Sequence, residues 1–356
     1  MSAPLVDLVV AVHDPARRVD RAVGSALTSD APLRVTVVAH NTDPAGIEDR
    51  LGVLAGDTRV RVVALADGVR SPAGPFNHGL DLATARFTSL LGSDDELERG
   101  AIDSWLARAE RTGADAVLTR LRHAGGGAVP TPPTRPRTRR LLDPVADRLS
   151  YRSAPLGLVS RARFGELRLA AGVPVGEDLP YVTRLWFSGA PIGYDRWGPA
   201  YVIHDDAGDR TTMTPRPLAE VFAFVPHVLD APWFVTLPRA AREAVVVKFL
   251  RIHLFGAVTH RSDPALWTAG ERGALSAAAT AMVARGEGAE RLLSRRDRVL
   301  LDAALDPDVP TAQLITAAAR RREFARPGAL VPRALRHALH REAPLRFAAA
   351  SALQLR

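Results

Sequence analysis

At 356 residues and 47% hydrophobic composition, the chain is long enough to bury a large core and to divide into two domains. The absence of cysteine excludes disulfides and thiolate metal sites, and no run approaches about eighteen uncharged apolar residues, so no membrane-spanning helix is predicted. The formal charge of +8 favours polyanions, among them nucleotide phosphates, anionic lipids and nucleic acid. Nucleic acid is not expected, because the few aromatics do not interleave with the arginines. The N-terminus carries no basic region ahead of its apolar run, so no signal peptide is expected.

Leu5–Val12 is nearly continuous apolar sequence, the pattern of a strand covered on both faces, and His13-Asp14-Pro15 ends it. Val19, Val23, Ala26 and Leu27 fall at helical spacing, predicting a helix over Ala16–Thr28. The second strand, Leu33–Ala39, ends in the polar turn His40-Asn41-Thr42-Asp43-Pro44. A short helix over Ile47–Ala55 and a strand over Val60–Ala64 follow. The loop Asp67–Pro75 and a helix over His78–Ala85 come next. The strand Phe87–Leu91 stops at Gly92, and Ser93, Asp94 and Asp95 follow it directly. A helix is predicted over Glu96–Leu106 or over Arg99–Arg111, then a strand over Ala114–Thr119.

Strands alternating with helices at this interval predict an α/β fold with a mostly parallel sheet flanked by helices. Ligands in such sheets bind outside the carboxyl ends of the strands. Asp14, His40 to Asp43, and Ser93 to Asp95 all fall at those ends. Adjacent carboxylates repel each other, and a cation with a preference for oxygen ligands would neutralise Asp94 and Asp95. The plain alternative is a polar strand end whose acids cap the next helix.

His123–Arg140 breaks the pattern. Its glycines and prolines predict a loop, and Arg135, Arg137, Arg139 and Arg140 make it basic, either as a solvated excursion or as a flap over phosphate or acceptor. A strand over Leu156–Ser160, a helix over Arg161–Leu167, and Gly176-Glu177-Asp178 opening a further helix come next. Beyond Thr214 the texture turns helical, with segments over Ala219–Val228, Arg239–Leu254, Ala274–Arg285, Glu290–Leu301, Thr311–Phe324 and Pro332–Glu342. Two domains are therefore expected, 1–214 and a helical 215–356. In the last helices Leu335 and Leu339 lie beside Arg336, His337 and Arg341. That is a membrane-surface signature as well as the pattern of an ordinary solvated helix.

In this order the motifs resemble those of inverting family 2 glycosyltransferases with the GT-A (Rossmann-like) fold, over roughly residues 4–212. The resemblance implies a sugar moved from a nucleotide-diphosphate donor to a polysaccharide, lipid-linked or other hydroxyl acceptor, with Mn2+ or Mg2+ as cofactor. It places His13, Asp14, His40, Asn41, Asp67, Asn77 and Ser93 at the donor. Asp94, Asp95 and His204 would hold the metal, and Asp209, Arg210 and Thr211 would form a loop beside it. Asp178, beside Glu177, would be the general base, since inversion needs a carboxylate on the acceptor side of the anomeric carbon. The chain departs from the family at Ala39, where an acidic pair is usual, at Phe76 in place of an arginine, and at Gly92, where the first metal-binding acid is lost. A non-catalytic binding or scaffold protein that kept the fold is the alternative reading of those losses. The expected location is cytoplasmic, with peripheral contact at the inner face of the plasma membrane as its variant. Oligomeric state is left open.

Overall fold

The computed structural model describes residues 3–135, 141–205, 216–324 and 326–354. Its strands are β1 (Val6–Val12), β2 (Leu33–His40), β3 (Val60–Leu65), β4 (Phe87–Gly92), β5 (Glu96–Leu97), β6 (Ala116–Thr119), β7 (Leu121–His123), β8 (Gly157–Ser160), β9 (Ile192–Asp195) and β10 (Tyr201–Ile203). Seven of them form one sheet in the order β3-β2-β1-β4-β8-β6-β9, and β5-β10-β7 form a second, three-stranded sheet. The β3, β2, β1 and β4 strands run parallel. β8 runs antiparallel to both β4 and β6, which makes the sheet mixed. The architecture is Rossmann-like, followed by a helical C-terminal region, as the alternation of elements implied.

Side-chain alternation along β1 divides the core. Val6, Leu8, Val10 and Val12 face one apolar cluster together with helices α1 (Val19–Ala26), α2 (Pro44–Leu51) and the later helix Ala101–Thr112. Val9 faces the other cluster, which continues without a break into the C-terminal helices. Helix α3 (Ala73–Asp81) lies directly on β1, because a Cβ added at Gly79 would stand 2.2 Å from the Val9 methyl. Even alanine there would lift the helix off the strand.

Several elements differ from the sequence expectation. Glu96 does not start a helix: Glu96 and Leu97 pair antiparallel with β10, and the next helix, α4 (Ala101–Thr112), begins only at Ala101. The Arg239–Lys248 helix widens into a π turn over Phe249–Leu254. Pro332–Glu342 forms no long helix; only Leu335–His337 makes a 3-10 turn, and a final helix occupies Pro344–Gln354. This last segment is fastened to the rest by buried polar groups. Arg148 donates to the Arg341 carbonyl (2.7 Å), Arg251 donates to the Glu342 carbonyl (2.7 Å), and Phe347 packs on Tyr151. A buried group with its partner removed is costly, so these bonds hold the C-terminal segment in one position. The expected domain boundary at 214 falls at the edge of 206–215, which lies outside the described residues, as do Asp209, Arg210 and Thr211.

Candidate active site

A cavity of about 670 Å³ opens at the carboxyl ends of β1, β2 and β4. Its floor is strand ends and its wall is the loop after β3 with the start of α3. His13, His40, Asn41, Ser93 and Asp94 line it, as does Phe76. Arg17, Arg70 and Arg216 line it too, three arginines against one aspartate, so the cavity favours an anion.

Asn41 and Asp67 lock the two loops on the β2 side. Asn41 takes a left-handed backbone (φ 54°), which its side chain supports by accepting from Gly68 N (2.9 Å) and donating to the Val69 carbonyl (3.2 Å). One carboxylate oxygen of Asp67 accepts from His40 Nε2 (2.8 Å), Asn41 Nδ2 (3.1 Å) and Val69 N (2.9 Å). The Val69 N–H first, and His40 second, hold this carboxyl down at about 2. Asp67 itself does not line the cavity; it shapes the loop that does. Gly74 permits this, since a Cβ there would stand 2.5 Å from Asp67 Oδ2.

Two other residues expected at the donor take up backbone work beside it. Asp14 accepts from Ala16 N (2.8 Å) and closes a tight turn through Arg17 N and its own carbonyl (3.0 Å). Asn77 exchanges both amide groups with Leu169, donating to its carbonyl (2.9 Å) and accepting from its N–H (2.8 Å). Neither lines the cavity. The Asn-x-Gly element thus reads as architecture: Asn77 ties the helix to residue 169 and Gly79 seats it on β1.

The acids after β4 diverge. Asp94 turns into the cavity, where its Oδ2 lies 2.9 Å from Arg17 Nη1, and Arg21 donates to its carbonyl. Asp95 turns to the second sheet. Its Oδ2 accepts from Tyr201 Oη (2.6 Å) and its Oδ1 from His204 N (3.1 Å). The His204 ring pairs with Glu96 instead (3.0 Å). Gly92 belongs to this arrangement, because a Cβ there would stand 2.6 Å from Asp95 Oδ2. Asp94, Asp95 and His204 therefore do not converge, and among the described residues no three His, Asp or Glu side chains are grouped to hold a metal ion. The donor set does not fit the divalent ion expected from the acidic pair.

Asp178 opens helix α6, the element Asp178–Trp186, which follows the short helix α5 (Arg161–Phe164). Neither it nor Glu177 lines the cavity. Gly176 turns the chain there with φ 77°, and a Cβ at that position would crowd Leu179 (2.9 Å) and Phe224 (3.2 Å). Burial first, and the Glu177 charge second, push the Asp178 carboxyl well up; Lys248 pulls it back in part. Burial also pushes Glu177 up. Lys248 is almost completely buried and donates to His253 Nε2 (2.7 Å), and the His253 ring stands against Phe224 and Phe249. Residues five apart face different sides of an α-helix; the π turn brings Lys248 and His253 together. Sequence reasoning missed this pair, although Lys248 is the only lysine in the chain. It missed Arg17 as well, since an arginine in a turn of so arginine-rich a protein carries no signal. Of the basic loop, Arg135 bonds buried Asp147 (2.7 Å), while Arg137, Arg139 and Arg140 lie outside the described residues.

Residues 7–165 match the family model for glycosyl transferase family 2. This segment is therefore similar to that family, and it spans somewhat under half of the chain. Among curated proteins it is similar to the succinoglycan biosynthesis protein ExoO of Rhizobium meliloti, 33% identical over 118 residues, which spans 33% of each chain. Among solved structures it is similar to the 1–349 fragment of S. aureus TarS in complex with UDP-GlcNAc, at TM-score 0.73 and 16% identity, covering 90% of this chain and 93% of that one. The longer TarS structure gives 0.69 and 15%, covering 87% of this chain and 54% of that one. These likenesses extend through the helical region and establish the GT-A fold.

Proposed function

We propose that this chain is a family 2 glycosyltransferase and binds a nucleoside-diphosphate sugar in the cavity at the ends of β1, β2 and β4. It would transfer the sugar, with inversion, to a hydroxyl of a carbohydrate or lipid-linked acceptor. The observation that carries the reading is the cavity itself: strand-end placement, Asp94 and three arginines in one lining. UDP is the first base to test, because the TarS fragment of the same fold was solved with UDP-GlcNAc. In the transfer, the acceptor oxygen forms its bond to the anomeric carbon while the carbon–oxygen bond to the diphosphate breaks. The electron pair leaves with the diphosphate, and the hydroxyl proton passes to Asp178. A carboxyl held up by burial has the basicity that such a proton transfer needs near neutral pH.

Calorimetric titration of the full chain with UDP, GDP, ADP and dTDP tests the donor site. Saturable binding of one of them is expected, and no heat from any would contradict the reading. Peripheral contact with anionic lipid is a second, smaller part of the proposal. Leu335 and Leu339 are 67% and 76% exposed beside Arg336. Equal recovery of the protein with neutral and anionic vesicles would sink it. No helix among the described residues is long and apolar enough to cross a membrane.

A further inference from the structure

The donor diphosphate has to be neutralised as it leaves, and the acids that would hold a divalent ion are otherwise engaged. Both oxygens of Asp95 are bonded to Tyr201 and to the His204 backbone, and the His204 ring is bonded to Glu96. The sequence is also committed to this state. An acid in place of Gly92 would bring its Cβ within 2.6 Å of Asp95 Oδ2, so the missing first carboxylate cannot be restored while Asp95 holds Tyr201. Asp94 remains, and its partner is already a cation. Arg17 Nη1 sits 2.9 Å from Asp94 Oδ2, with only 12% and 17% of the two side chains exposed. The Asp14 turn fixes the backbone that carries Arg17, and Arg21 fixes the backbone of Asp94 from the other side.

We propose that Arg17, oriented by Asp94, supplies the positive charge on the donor diphosphate, so that this chain binds nucleoside diphosphates without a divalent metal. The inference rests on reading the cavity as the donor site. A guanidinium offers five N–H groups in a planar fork, so one can stay on Asp94 while others meet phosphate oxygens bidentately. Arg70 and Arg216 stand in the same lining and add to the field on the same anion. A metal at Asp94 would stand close to the Arg17 guanidinium held on the same carboxylate, so the two cations would repel each other in a largely buried place.

The test is calorimetry on the full chain with UDP, UMP and uridine, or the matching series for whichever base the panel selects, in EDTA and in MnCl2. The wild-type Kd for UDP is expected to agree within about twofold in the two buffers. Arg17→Gln is expected to weaken UDP by about tenfold or more while changing uridine little, with no rescue by manganese, and Arg17→Lys is expected to recover part of the loss. Binding of UDP at least about tenfold tighter in manganese than in EDTA would overturn the inference. So would Arg17→Gln with wild-type UDP affinity and an unchanged melting temperature. Should Arg17→Gln fail to fold, the wild-type comparison of EDTA with manganese decides alone. If no nucleoside diphosphate binds in either buffer, the donor-site reading itself fails and this inference with it. Metal-dependent binding removes only the inference.

Discussion

Asp67 and Asp178 are the same residue type in opposite surroundings, and the proposed function gives them opposite tasks. Around Asp67, at the open ends of β2 and β3, donors converge: a backbone N–H, an imidazole and an amide all point at one oxygen. The charged form is favoured and the carboxyl is held near 2. Its contribution to stability is present above the ordinary carboxylate range and is lost as pH falls toward about 2. Around Asp178, burial and a second acid disfavour the charge, and the carboxyl is pushed up. There the sign reverses: the protonated form is the comfortable one, and stability falls as pH rises from the ordinary carboxylate value to the raised one. The first environment suits a group that holds a loop rigidly through every turnover. The second suits a group that takes a proton and gives it back.

The strongest way to break this contrast is to remove the charge from Asp178. Asp178→Asn should lower turnover by about 10²–10⁴-fold with a competent acceptor while binding the nucleoside-diphosphate sugar almost as wild type does. Near-normal transfer by that variant would leave Asp178 a helix-start residue and nothing more. A smaller effect is expected from Lys248→Met, which removes the cation that pulls Asp178 down. The acid limb of the kcat/KM profile should move to higher pH, on the order of one unit. An unmoved limb in a variant that melts as wild type does would show that Lys248 does not tune the base.

Much of the nucleotide side was legible in the sequence, because local pattern determines it. Strands rich in valine, ended by His13, by His40-Asn41 and by Ser93-Asp94, put five of the expected residues into one cavity. What stayed illegible was which way each side chain turns. Asp94 and Asp95 are neighbours, yet one faces an arginine in the cavity and the other faces a tyrosine 106 positions away. Spacing could not distinguish them, because the choice depends on β10 pairing with β5. Helix prediction failed at Glu96 for the same reason: a tertiary strand partner overrode a segment that reads as helical by itself. The Lys248–His253 pair required a π turn, and Asp178's surroundings required the C-terminal helices to share the core of the sheet.

The most direct measurement is a structure of the chain with an intact nucleoside-diphosphate sugar bound. The diphosphate should lie within hydrogen-bond reach of Arg17 in the strand-end cavity. The anomeric carbon should stand between the diphosphate and the carboxylate of Asp178, with room on that side for an acceptor hydroxyl. A donor bound elsewhere, or bound in the cavity with Asp178 facing away from its anomeric carbon, would contradict the account.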